Sequence, residues 1–157
     1  DPRNINLGKK LITNNKILIE KDSFEEINET QYHEILIENT APYSPFDILE
    51  NKSLLLENNF DNLNAIDWDK GCYVGQEITA RMKYRGLLKK KLYSLKLKIG
   101  NVLEGDELIV DNKKIGTVVS IANSNVFAVL NINFANQLKE KNQSLVINDN
   151  LSFDFLN

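Results

Sequence analysis

The sequence predicts an α+β protein: a mixed α/β segment followed by a small antiparallel β-barrel. Two observations predict it. From Leu87 onward, short runs alternate apolar and polar residues with period two and are separated by tight-turn residues. Before that point, apolar residues recur at helical spacing between prolines and glycines. The change of period places a division near residue 88, giving an α+β segment over 1–88 and a β-barrel over 89–157.

The chain has 157 residues, enough for one domain or two small ones. Apolar residues make up 42% and charged residues 26%, as in ordinary globular proteins. A net charge of −3 gives no global field that favours nucleic acid. One cysteine forms no internal disulfide, which is compatible with a reducing compartment. No apolar run reaches the roughly 18 residues that span a bilayer. The chain opens Asp1-Pro2-Arg3, without Met or a signal-like stretch, and is expected to be a fragment of a longer polypeptide or a trimmed chain.

Residues 1–22 read as extended structure. Leu11-Ile12 and Ile17-Leu18-Ile19 flank Thr13-Asn14-Asn15-Lys16, a hairpin turn. Ser23, with Glu26 three residues on, reads as a capping box that opens one or two helices over 23–38. Phe24, Ile27, Tyr32, Ile35 and Leu36 supply the helical spacing. The lone histidine, His33, lies here without metal-ligand spacing and reads as a surface or half-buried helix residue. Pro42 stops the helix, and Ser44-Pro45-Phe46-Asp47 resembles an N-cap with proline at the first helical position, opening a short turn to Leu49. Leu54-Leu55-Leu56 then ends in Glu57. That carboxylate reads either as a solvated strand end or as an anchor accepting hydrogen bonds from a heterocycle's N–H groups.

The richest chemistry lies in Lys70-Gly71-Cys72-Tyr73-Val74-Gly75-Gln76-Glu77. Gly71 and Gly75 permit backbone angles closed to other residues and close approach to a ligand. A helix is expected from Gly75 to Tyr84, with Val74, Ile78 and Met82 as its buried stripe and Glu77, Arg81 and Arg85 as its polar one. Glu77 and Arg81 stand i,i+4, worth about 0.2–0.5 kcal/mol if exposed. Cys72 precedes the helix beside Lys70, and both features favour the thiolate. Gly86 reads as the residue that ends this helix.

The basic run Lys89-Lys90-Lys91 leads into the first barrel strand and reads as a solvated edge that discourages aberrant pairing. The aromatics do not interleave with these charges, so nucleic-acid binding is unsupported. Tyr93, Leu95, Leu97 and Ile99 alternate with polar neighbours. Strands at 107–110 and 114–121 flank the turn Asp111-Asn112-Lys113. Ala122-Asn123-Ser124-Asn125 turns into a strand over 126–132, and a short helix is expected over 134–141. Strands at 144–147 and 151–155, joined by Asn148-Asp149-Asn150, complete a small barrel or sandwich.

The eight residues from Lys70 to Glu77, with Arg81 and Tyr84-Arg85-Gly86 at fixed distance, resemble the signature of YgfZ-type folate-binding proteins, relatives of the glycine-cleavage aminomethyltransferases. Asp1-Pro2-Arg3 with Leu7-Gly8, and Leu56-Glu57-Asn58-Asn59 with Leu63-Asn64, resemble flanking elements of that family. The resemblance covers nearly the whole chain but only the C-terminal half of a typical member. It implies a tetrahydrofolate-binding protein that supports synthesis or repair of iron–sulfur clusters, with client or assembly proteins as partners. It places such a chain in a bacterial cytoplasm or a mitochondrial matrix. On this chain it makes Glu57 the carboxylate that reads the pterin and Cys72 the functional thiol. Lys70, Arg81 and Arg85 would offset the glutamate tail. Gly71, Tyr73, Gly75, Gln76 and Glu77 complete the implied cofactor-binding set, with Gln76 and Glu77 also fixing the turn and helix start. Two other readings stay open: a folate-dependent aminomethyltransferase or demethylase, and an interaction module without a ligand.

Overall fold

A computed structural model describes residues 1–9, 25–50, 52–71 and 77–156, apart from the side chain at position 77. The 11–19 hairpin, Ser23, Phe24, Cys72, Tyr73, Val74, Gly75 and Gln76 lie outside the described residues.

Among the described residues, a 3-10 turn, Ile5–Leu7, precedes helix α1, Glu29–Glu38, and helix α2, Glu77–Tyr84. The barrel strands are β1 Lys90–Ile99, β2 Glu107–Val110, β3 Lys113–Ala122, β4 Asn125–Asn131, β5 Leu145–Asn148 and β6 Leu151–Phe155. Helix α3, Ile132–Glu140, sits between β4 and β5. All pairings are antiparallel, in the order β2-β3-β4-β1-β6-β5. The two outer strands, β2 and β5, approach each other, so the sheet nearly closes. The predicted α+β architecture and the barrel strands are therefore observed.

Local chemistry explains the turns. Asp111 and Asn112 both take positive φ between β2 and β3, the pairing that a two-residue hairpin of the right twist requires. α2 ends as the sequence predicts. Gly86 sits at φ +60°, its N–H bonds Lys83 O, and Leu87 N–H bonds Met82 O.

The barrel interior holds Leu95, Leu108, Val118, Val126, Leu130 and Phe153. A second cluster forms outside the sheet, where Ile37 of α1 packs on Leu92, Ala122 and Phe127. β4 is therefore buried on both faces over residues 125–128, because the leading segment covers what would otherwise be a solvated face.

Several expectations are corrected. The capping box of α1 is made by Asn28 and Gln31, each bonding the other's backbone N–H at 2.8 Å, and Glu26 lies before the helix in non-helical backbone. The segment from Ser44 forms the expected short turn, closed by Asp47 N–H to Tyr43 O at 2.8 Å, but the Ser44–Pro45 peptide is cis and no helical position follows it. Leu54-Leu55-Leu56-Glu57 forms consecutive turns, with Asn58 N–H bonding Leu54 O, so Glu57 ends no strand. Ile78 is 59% exposed, so the predicted stripe of α2 is not buried there. Lys89-Lys90-Lys91 is not simply a solvated edge: β4 pairs with Lys90 and Lys91 on one side, β6 does not reach them on the other, and the two lysines pair with Glu57 and Asp61 of the leading segment.

Candidate functional site

The leading segment is held on the barrel by backbone and side-chain bonds to β1. β6 pairs with β1 only from Leu95 onward and so leaves the start of that strand with a free edge. The turn at 57–59 occupies it. Glu57 O accepts from Leu92 N–H at 2.7 Å, and Asn59 Nδ2 donates to Leu92 O at 2.8 Å. Both backbone groups of one strand residue are thereby satisfied by one turn. Ser94 Oγ donates to Ile37 O at 2.5 Å and lies 2.7 Å from Thr40 Oγ1, which fixes the end of α1 two residues further along.

This docking sets the position of Glu57. Its carboxylate is only 12% exposed and lies 3.4 Å from Lys90 Nζ, an amine that is itself mostly in solvent. It lines a cleft of about 610 Å³ between the leading segment and the barrel. Leu49, Leu87, Ile115, Val119 and Val129 give this cleft apolar walls, and Lys52, Lys89, Lys90 and Lys114 line it as well. The volume falls within the range of small-molecule sites, which combine apolar walls with a few placed polar groups. An ionised carboxylate in such a place is an acceptor for N–H groups only.

Asp47 lines the same cleft and has no exposed side-chain surface. Its Oδ1 lies 2.9 Å from His33 Nε2 and also accepts from the Ser120 hydroxyl, while Oδ2 accepts from Tyr43 N–H at 2.7 Å. α1, the 43–47 turn and β3 thus meet at one carboxylate. His33 is half-buried, as its helical position predicts. Its partners lie 14 and 87 residues away, and no sequence periodicity connects them.

The residues assigned to one site by the sequence lie in different places. Lys70 and Gly71 line a second, smaller cavity of about 140 Å³ with Trp68, Thr79 and Tyr84. Lys83 Nζ sits 3.5 Å above the Trp68 ring, and Tyr84 meets that ring edge-on at 6.3 Å. Gly71 is exposed with φ outside the left-handed region, and a Cβ there would meet nothing within 4 Å, so close packing does not demand glycine at 71. Arg81 and Arg85 are exposed on and just after α2 and line neither cavity. Cys72, Tyr73, Gly75 and Gln76, and the side chain of Glu77, lie outside the described residues. The sequence reading missed Asp47, Ser120 and the Trp68–Lys83 pair. Only the single tryptophan just ahead of the signature offered any signal. Among the described residues, no group of three or more His, Cys, Asp or Glu could hold a metal ion, and no helix is long and apolar enough to cross a membrane.

No protein-family model matches the chain. It is similar to curated proteins named as iron–sulfur cluster assembly factors. It is 33% identical over 121 residues to the mitochondrial iron–sulfur cluster assembly factor IBA57 homolog of Dictyostelium discoideum, covering 73% of this chain and 30% of that protein. It is 31% identical over 99 residues to the mitochondrial IBA57 of Mus musculus, covering 62% and 27% respectively. Against the Saccharomyces cerevisiae protein of the same name the identity is 37% over 89 residues, covering 56% and 17%. The chain spans less than a third of the length of these relatives.

Proposed function

We propose that this chain is part of a mitochondrial iron–sulfur cluster assembly factor that holds tetrahydrofolate, with Glu57 as the residue that reads the pterin. The observation that carries the folate assignment is the placement of Glu57: a nearly buried carboxylate, backbone-anchored to β1, in an apolar-walled cleft large enough for a heterocycle. The pterin ring offers adjacent N–H donors, which a carboxylate acceptor matches with charge-assisted bonds. The cluster-assembly role and the mitochondrial compartment rest on the names of the relatives. Tetrahydrofolate supplies one-carbon and redox chemistry at its pterin when bound; the chain's part is to bind, orient and shield that ring. Client or assembly proteins of the iron–sulfur pathway are the partners of this reading, and Cys72 is its functional thiol.

Calorimetry of the full-length protein with tetrahydrofolate tests it. Glu57→Gln keeps the shape and removes the charge, and is expected to weaken binding by about 10- to 100-fold, the worth of hydrogen bonds to a charged group. Unchanged affinity would remove Glu57 from the site. In cells lacking the factor, Cys72→Ala is expected to abolish recovery of cluster-dependent enzyme activity, and full recovery would count against the assembly role. Formation of methylene-tetrahydrofolate from glycine-cleavage or N-methyl substrates would instead favour the aminomethyltransferase or demethylase reading.

A further inference from the structure

We infer that Arg3, Lys91 and Lys139 form a binding site for the phosphate ester of a hydroxylated small molecule, separate from the Glu57 cleft. These cations line a third cavity, of about 360 Å³, where β6 leaves the start of β1 open. The cavity shares no residue with the Glu57 cleft: Glu57 and Asn58 line that cleft, whereas Asn59 and Asn62 line this one. The site therefore stands apart from the folate reading. Among the described residues, no carboxylate lines it.

The three cations come from separate parts of the chain. Arg3 precedes the 3-10 turn, Lys91 lies on β1, and Lys139 lies in the last turn of α3. Arg3 is held by Asp1 at 2.7 Å and Lys91 lies 3.5 Å from Asp61, and neither carboxylate lines the cavity. Those pairs fix two cations at the wall without filling the space. Lys139 has no carboxylate partner among the described residues, and its amine lies 6.0 Å from the ring centres of Tyr93 and Phe155. Tyr93 lines the cavity too, and burial keeps its hydroxyl protonated and able to donate. Asn4 spends its Oδ1 on Asn6 N–H and keeps its Nδ2 as a donor. Together these groups exceed the roughly four lone-pair sites of a carboxylate. The three oxygens and near-double charge of a phosphate monoester match them better.

Asn59 calls for a different group on the same ligand. It is 4% exposed, its Nδ2 donates to Leu92 O, and its Oδ1 accepts from nothing among the described residues. No fully buried side-chain oxygen or nitrogen among them lacks a partner, so the surface that Asn59 keeps includes this oxygen. Asn39 repeats the pattern: its Nδ2 donates to Ile35 O, its Oδ1 is unpartnered among the described residues, and it lines the same cavity. Amide oxygens repel an anion and accept from hydroxyls. A volume at the small end of small-molecule sites holds a phosphate and a short hydroxylated chain together.

The test is calorimetry of the full-length protein at low ionic strength with glycerol 3-phosphate, inorganic phosphate and acetate. Glycerol 3-phosphate is expected to bind about tenfold tighter than phosphate, the worth of one or two hydroxyl–amide bonds, and acetate about tenfold more weakly than phosphate. Lys139→Glu is expected to weaken glycerol 3-phosphate at least tenfold. Lys113→Glu makes the same charge change at a residue that lines none of these cavities, and should leave affinity within about twofold. Both lysines are exposed, so the variants should fold, which thermal melting checks. Saturating tetrahydrofolate should not displace glycerol 3-phosphate. Absence of binding, acetate equal to phosphate, no gain from the glycerol hydroxyls, equal losses from the two charge reversals, or displacement by tetrahydrofolate would each overturn the site.

Discussion

The carboxylate of Asp47, shut away from solvent, lies 2.9 Å from the Nε2 of His33. Three segments far apart in sequence converge on this contact, because Ser120 and the backbone of Tyr43 complete the carboxylate's partners. Removing one member of a buried, fully partnered group leaves the others stranded. Asp47→Ala is therefore expected to lower unfolding stability by about 3–5 kcal/mol, measured by urea denaturation. Ser120→Ala removes one donor and leaves the rest, and should cost about 1–2 kcal/mol. Equal, small effects from the two substitutions would contradict this ranking.

Ser94 tests the docking of the leading segment. Its hydroxyl caps Ile37 O beneath the cluster of Ile37, Leu92 and Phe127. Ser94→Ala removes one donor from a carbonyl that keeps Thr40 N–H at 3.0 Å, and should cost about 0.5–1.5 kcal/mol. Hydrogen exchange would locate the loss: faster exchange is expected in α1 and at the 57–59 turn, with little change in β2, β5 and β6.

Gly116 marks a place where β3 has no room for a side chain. A Cβ there would lie 2.4 Å from Leu130 Cδ2 and 2.6 Å from Val129 O, and the second neighbour is backbone that cannot rotate away. Gly116→Ala should destabilise the barrel by about 1–3 kcal/mol, read from the shift of the denaturation midpoint. Because Gly116 also lines the Glu57 cleft, ligand affinity should fall in the same variant.

Two groups of the barrel make its stability depend on pH at opposite ends of the scale. Burial pushes the Tyr93 hydroxyl above its ordinary 10.0. Its contribution is full below about pH 10 and is lost as pH rises toward the folded value. Tyr93→Phe should flatten the alkaline limb of a stability–pH curve. Asp154 is held below its ordinary 3.8 by a hydrogen bond from Lys98, then by one from Ser144. Its contribution is present above that value and disappears as pH falls through the lower, folded one. Asp154→Asn should thus lose stability at neutral pH and converge with the parent in acid, by an amount that shrinks with salt because the pair is exposed.

The barrel is legible in the residue order alone. Period-two alternation from Tyr93, the Asp111-Asn112 turn and the Gly86 helix end are local signals, set by side-chain direction and by which residues tolerate positive φ. Glu57 was marked too, as either a strand end, which the turn at that position rules out, or a polar anchor. The surroundings of that carboxylate come from long-range packing. The turn holding it was fixed by the open edge of β1 that β6 fails to reach, and Asp47 was drawn to His33 and Ser120 by the need to partner a charge removed from water. Both causes act between segments distant along the chain, where local periodicity carries no record of them.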